Sequence, residues 1–490
     1  MRTWTCLAGL LALLLGLIPC PVSAAPSAYH LSKVVMLTRH GVAAPADDNQ
    51  LPRITGKAWP QWPVGPGQLS PRGAGLLTAQ WASLRALYLE AGLLPAQKTE
   101  SRVFVRADNT PRSRGSAEAL LRGLTPGTLP SYAVVNLDPD PLFEPVQAGL
   151  AIFDPAETAL AVLDHINGDF SQFWESLGEP MSLLDQLTGP LSSEACNSIN
   201  LPGGCRLPSI SIMDMGRRVE IRGGLGLGST LVDLLVQEYA QWPQQDAAWG
   251  QANAAALRKL LPIRSEIFNA LHRTPLVAGI YGGPLLRDMA LALYSQHADP
   301  RLNEARCAVF VGNDNNLAAI GSLLGIDWQA SGFPPNALPP GTILAMELWE
   351  GPDNASEVRF RVFMQSLDFM HAPLSVTTAS GYQTAPDSYG PALLEAHVTL
   401  DGQEDGPVMS RELFEQRVRG ALEGRGLPRI TFLPEMVSPQ APAPTLRGSR
   451  PAGAGAVSRP TAGGLSPAAQ RYAAGAAPDA GAVELPQRAV

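Results

Sequence analysis

Residues Lys33-Val34-Val35-Met36-Leu37-Thr38-Arg39-His40-Gly41 decide how the chain is read. The unbroken apolar run at 34–37 fits a strand buried on both faces, the kind found in α/β sheets covered by helices. Ligands of open α/β sheets bind at the carboxyl ends of the strands, and Arg39 and His40 stand at that end. A histidine there can attack phosphorus, the adjacent arginine can neutralise phosphoryl oxygens, and Gly41 lets the backbone turn close beneath a ligand. Alone, the tripeptide is equally compatible with a structural histidine beside a surface arginine.

Two further strand ends repeat the plan. Val103-Phe104-Val105 runs through Arg106-Ala107-Asp108 to Thr110-Pro111-Arg112. Thr110 is expected to cap a helix with Pro111 at its first position and Arg112 in its first turn, where helix terminus and guanidinium together attract phosphate. Arg106, Arg112 and Arg114 cannot all face one pocket. The third strand, at 307–311, ends in Gly312-Asn313-Asp314-Asn315-Asn316 before an apolar helix closed by Leu324-Gly325. Asp314 could serve there as a general acid, and Asn313 or Asp314 could equally be a helix cap.

Strand-like runs at 33–38, 102–105, 307–311, 343–348 and 358–364, with helical runs at 76–87, 116–121 and 317–324, predict an α/β fold: a Rossmann-like, mostly parallel sheet core flanked by helices. From 146 to 269 helical periodicity takes over, at 158–166, 230–239 and 252–260. That stretch reads as an inserted α-helical cap domain dividing the core into 31–145 and 270–435. The run Gly223-Gly224-Leu225-Gly226-Leu227-Gly228 could be a nucleotide loop only if a strand preceded it. None is legible, so it reads as a helix-to-helix connection.

The termini have a different character. Arg2, the apolar run at 7–18 and Val22-Ser23-Ala24 make residues 1–24 a signal peptide with cleavage expected after Ala24. Pro19 disfavours lipidation at Cys20, and no other stretch reads as a membrane span, so the mature chain is expected to have none. Residues 438–490, rich in Ala, Pro and Gly, cannot bury a core and read as a disordered tail. Of five cysteines, Cys196, Cys205 and Cys307 survive cleavage. The first two, in an exported Pro/Gly-marked segment, most simply form a local disulfide, since zinc would want four ligands. Cys307, in a strand, reads as a buried inert thiol. The formal charge of −8 falls to −9 when Arg2 leaves, which argues against a nucleic-acid partner. Any phosphate must be held by a local arginine pocket.

On these residues the chain resembles the histidine acid phosphatases, specifically the bacterial periplasmic phytases and glucose-1-phosphatases. The likeness spans 31–435 and includes Thr38 to Pro45, Trp59-Pro60-Gln61-Trp62-Pro63, Leu69-Ser70-Pro71-Arg72-Gly73, Asp140-Pro141-Leu142-Phe143, Arg273-Thr274-Pro275 and Pro339-Pro340-Gly341. The Cys196 and Cys205 spacing also looks like that of a family disulfide. The resemblance implies a periplasmic or secreted enzyme that uses no metal or cofactor. In it His40 attacks phosphorus to form a phosphohistidine, Asp314 donates the proton, and Arg39 and Arg112 bind the phosphate.

Two positions depart from the family pattern R-H-G-x-R-x-P followed by H-D. Ala43 stands where the second arginine belongs, and Asn313 replaces the histidine, leaving an amide that donates more weakly to the phosphate. Loss of one preorganised donor costs about 3–4 kcal/mol, roughly a hundred- to a thousandfold in rate. Ala46 and Asp47 stand where phytases have a threonine and a lysine, and Tyr281 falls near a position basic in them. Such a rim disfavours a polyphosphorylated inositol. Asp233 matches a family acidic position, but an exposed helical carboxylate explains it equally well. Two functions compete: an acid phosphomonoesterase acting on a sugar phosphate, an inositol phosphate or a similar phosphate monoester, and a pseudophosphatase that binds an anion or partner without turnover. Retention of Arg39, His40, Arg112 and Asp314 together favours the enzyme.

Overall fold

The computed structural model describes residues 29–422, excluding 48–49, 129–131, 152, 200–205, 209–210, 215–218, 375–389 and 403–405. The expected signal peptide, the tail and Cys205 lie outside the described residues. The central sheet is 8-stranded: β1 (His30–Arg39), β2 (Val103–Ala107), β3 (Cys307–Gly312), β4 (Ile326–Gln329), β5 (Ile343–Glu350), β6 (Ser356–Met364), β7 (Leu394–Leu400) and β8 (Val408–Ser410). Its order is β2-β3-β1-β5-β6-β7-β4, with β8 on β6.

The α/β class is as expected, and the pairing refines the picture of a mostly parallel sheet. β2, β3 and β1 are hydrogen-bonded in parallel, whereas every pairing from β1 through β5 to β4 is antiparallel. β6 and β4 nevertheless run in the direction of β1, so that direction predominates. The three parallel strands deliver the three loops singled out from the sequence to one edge.

Val34, Val35, Met36 and Leu37 are all fully buried, and alternation explains why the run is unbroken. Val35 and Leu37 join the core on one face, while Val34 and Met36 join the core on the other. Each such side chain contributes about 1.5–3 kcal/mol by leaving water. On the second face lie α1 (Pro71–Glu90) and α2 (Pro111–Leu124), through Leu77, Trp81, Leu120 and Leu121. On the first side α3 (Gly224–Gln241) packs on α4 (Ala254–His272), which packs on α5 (Pro275–Leu293) and α6 (Asp314–Leu324), and these last two lie on the sheet, through residues such as Leu231, Ile263, Leu285 and Leu317.

Several local expectations need correction. α5 is long and apolar enough to cross a bilayer, and most of it is buried, its apolar side chains packing against the sheet and α6. A strand does precede the glycine run: Glu220–Gly223 pairs with Ser211–Asp214 in a hairpin, and α3 begins at Gly224. The glycines there permit contact. A Cβ on Gly226 would lie 2.0 Å from Ile221 O, and one on Gly228 would lie 2.7 Å from Met181 Sδ. Strands β4 and β7 were not legible, being short and broken by polar residues. α4 passes straight through Pro262 to His272, although the periodic pattern read from sequence ends at 260.

Candidate active site

Backbone hydrogen bonds lock the loops at the parallel edge together. His40 N donates to Gly312 O (3.1 Å), Asp108 N to Val311 O (2.9 Å) and Gly341 N to His40 O (3.1 Å). Gly41 N donates to Ser116 Oγ (3.0 Å), which in turn donates to Arg112 O (2.7 Å). The loop after β1 is thereby tied to the first turn of α2, where Arg112 sits.

His40 is 6% exposed. Its Nδ1 lies 2.9 Å from Gly41 O. A carbonyl oxygen only accepts, so Nδ1 carries the hydrogen and Nε2 keeps its lone pair. Burial, then the positive charges of Arg112 and Arg39, push the imidazole down to about 3. It is a neutral base throughout the mildly acidic range.

Beside it opens a cavity of about 220 Å3, lined by Arg39, His40, Arg112, Arg264, Asn313 and Asp314 and backed by Asp233. Ala43, Ala44, Pro45 and Ala46 belong to the same lining. Arg106 is absent from the lining because it is buried against Asp140, with Nη2 2.5 Å from Oδ2, while Arg114 is exposed. Of Arg106, Arg112 and Arg114, Arg112 therefore reaches the cavity, and it forms no ion pair among the described residues. Thr110 precedes α2 as expected but makes no capping bond; its hydroxyl pairs with Asp108 Oδ2 and Ser113 Oγ, both at 2.9 Å.

Arg39 is more tightly held than a free phosphate ligand. Its Nη1 donates to Leu338 O (2.5 Å), and its Nη2 lies 2.8 Å from Asp233 Oδ1 and 3.1 Å from Asp314 Oδ2. Arg264, from α4, closes the figure, with Nη2 2.5 Å from Asp314 Oδ2 and Nε 3.3 Å from Asp233 Oδ1. Two arginines and two aspartates thus alternate around a ring. Burial alone would raise the affinity of Asp314 for a proton, but Arg39 and Arg264 outweigh it and hold the carboxyl well below its ordinary range. Asp233 is lowered in the same way.

Asp233 is therefore not an exposed helical carboxylate. Its Oδ2 accepts from Gln237 Nε2 (3.1 Å), and Gln237 Oε1 accepts from Ala43 N (2.9 Å), so α3 positions the loop that lacks the second arginine. Asn313 caps α6: its Oδ1 accepts from Asn316 N (3.2 Å), and Asn316 Oδ1 returns a bond from Asn313 N (3.1 Å). The amide Nδ2 of Asn313, on the cavity wall, has no partner among the described residues, so capping and ligand binding are compatible. Tyr281 is buried against Phe153 and His272 and does not line the cavity.

Arg264 and Gln237 escaped the sequence reading. Arg264 lies beyond the point where Pro262 interrupts the helical pattern, and Gln237 is an ordinary polar residue of a long helix. Their role comes from the packing of α3 and α4 over the strand ends. Cys307 is a buried free thiol, raised to about 12 by burial, in keeping with the inert reading. Among the described residues, no three His, Cys, Asp or Glu side chains gather to hold a metal ion; arginines occupy the cavity carboxylates.

Residues 30–197 match the sequence pattern of the histidine phosphatase superfamily (branch 2). The chain is 30% identical to phytase AppA of Escherichia coli over 370 residues, 72% of this chain and 85% of the relative. It is 27% identical to glucose-1-phosphatase of Salmonella typhimurium over 307 residues, 60% of this chain and 71% of that one. Hafnia alvei phytase, solved with tartrate, superposes with a TM-score of 0.70 at 29% identity, covering 82% of this chain and 99% of that one. Sequence pattern, relatives and architecture agree: the chain belongs to branch 2 of the histidine phosphatase superfamily.

Proposed function

We propose that this chain is an acid phosphomonoesterase that works through a phosphohistidine on His40. The observation that carries the proposal is a neutral, buried imidazole whose Nδ1–H is committed to Gly41 O, beside a cavity walled by guanidinium groups. Nε2 forms a bond to phosphorus as the P–O bond to the alcohol breaks, and Asp314, protonated once substrate draws the arginines away, gives its proton to the leaving oxygen. Water then attacks phosphorus, the P–Nε2 bond breaks, and the water's proton returns to Asp314. Arg112 and Arg39 hold the phosphoryl oxygens, with Asn313 Nδ2 as a weaker donor. Gly41 O steadies the imidazolium as charge develops on the ring.

Hafnia alvei phytase was also solved with myo-inositol hexakis sulphate. In the present chain the uncharged cavity lining at 43–46 supports a substrate bearing one phosphate on a neutral polyol, such as a sugar phosphate, over a polyphosphorylated inositol. Export to the periplasm or medium, a Cys196–Cys205 link and a helical cap at 146–269 belong to the same proposal. Phosphate release from p-nitrophenyl phosphate at acid pH tests it, comparing the protein with His40→Ala and with Ala43→Arg/Asn313→His. Turnover that survives His40→Ala removes the mechanism; turnover only in the double variant makes the natural chain an anion-binding pseudophosphatase. The ratio of kcat/KM for glucose 1-phosphate to that for phytate tests the substrate class.

A further inference from the structure

Arg264 lines the cavity, yet it is not among the residues implied by the resemblance. Phe268, one turn along α4, lies 4.4 Å from the guanidinium, centroid to Cζ, and Nη1 is 3.4 Å from Ser229 O. The group is thus held in place beside Asp314 by contacts that leave it able to exchange partners. Its Nε is buried and makes no hydrogen bond, because Asp233 Oδ1 at 3.3 Å lies off the N–H direction. Arg39 and Arg112 likewise keep a buried Nε–H without an acceptor. Three guanidinium groups around one small cavity therefore carry more donors than their two carboxylates satisfy, the arrangement that suits a ligand with several acceptor oxygens. In the same lining, Ala43 brings only a methyl group.

We infer that Arg264 binds the phosphoryl group in place of the missing arginine at position 43, exchanging Asp314 for a phosphate oxygen when substrate arrives. The inference rests on the phosphatase reading of the same cavity. It makes the loss at position 43 a relocation of charge from the loop after β1 to α4, and it couples ligand binding to the release of the proton donor from its ion pair.

The test uses the full chain and inorganic phosphate as probe. Affinity is measured by calorimetry and as product inhibition, alongside kcat and KM for p-nitrophenyl phosphate. Arg264→Met keeps the packing on Phe268 and removes the charge; it is expected to weaken phosphate binding about 10- to 100-fold, the range for one charge-assisted hydrogen bond, and to raise KM. Ala43→Arg added to Arg264→Met is expected to recover most of the loss. Unchanged or tighter phosphate binding in Arg264→Met, with thermal melting showing a folded protein, overturns the inference and leaves Arg264 as a neutraliser of Asp314. Should Arg264→Met not fold, Arg264→Lys decides: a several-fold weaker affinity supports the inference, and wild-type affinity overturns it. Failure confined to these variants, with turnover still dependent on His40, sinks the inference alone, whereas turnover indifferent to His40→Ala sinks the phosphatase reading beneath it.

Discussion

On the proposed mechanism Asp314→Asn separates binding from turnover, because Asp314 is paired with Arg39 and Arg264, the groups that phosphate would engage. The substitution preserves shape and removes one negative charge from the ring. Arg39 is only 2% exposed and keeps Asp233 and Leu338 O as partners, so the cost is smaller than the 3–5 kcal/mol typical of breaking an isolated buried pair; about 2–3 kcal/mol is expected at pH 7. The pH dependence has a definite sign. The folded carboxyl titrates well below its ordinary value, so its contribution is present above the unfolded pKa of about 3.9 and fades as pH falls through the folded one. Wild type and variant therefore differ most near neutrality and converge in strong acid. Turnover is expected to fall by about 10²–10⁴ through loss of the proposed proton donor. Phosphate affinity moves the other way: at about 5 Å and an effective dielectric near 20, a carboxylate repels a phosphate charge by ~3 kcal/mol, and its removal tightens binding tenfold or more. Urea unfolding at pH 7 and pH 3, with phosphate calorimetry, reads all three quantities. Equal stability at pH 7, or phosphate affinity falling in step with turnover, would refute the ring as described.

Three other expectations follow from named contacts. His40, held neutral down to about pH 3, should show no titration near 6.5 in histidine-resolved NMR, and the acid limb of kcat/KM should not fall with a pKa near 6.5. Asp140→Asn leaves the buried Arg106 without its carboxylate and should cost about 3 kcal/mol in denaturant unfolding, with activity spared in the molecules that remain folded. Gly73→Ala drives a Cβ to 2.1 Å from Val42 O, a clash of the added methyl with a backbone carbonyl that should destabilise by about 1–3 kcal/mol and shift the loop bearing Ala43. Gly178→Ala, where a Cβ meets nothing within 4 Å, is the control and should melt like wild type.

The α/β class and three of the site's strand ends were legible because their signals are local. An apolar run with no polar interruption has to be buried on both faces, and the residues at its carboxyl end reach the binding edge whatever the rest of the chain does. Hence His40, Arg112, Asn313 and Asp314 line one cavity in the structure, and Pro111 and Gly325 mark helix ends where their backbone preferences place them.

The amino-acid sequence by itself determined which chemistry-bearing groups stand at the ends of β1, β2 and β3, and that Ala43 withholds a charge there. Only the tertiary structure decided how those groups are partnered. Asp233, Gln237 and Arg264 lie 194, 194 and 50 positions from the residues they contact, and no periodicity in a single chain encodes such a distance. Packing of α3 and α4 over the strand ends brings two arginines and two carboxylates into one buried ring. At low dielectric, that ring holds both carboxyls in their ionised form and leaves Arg112 as the cavity arginine without an ion pair among the described residues.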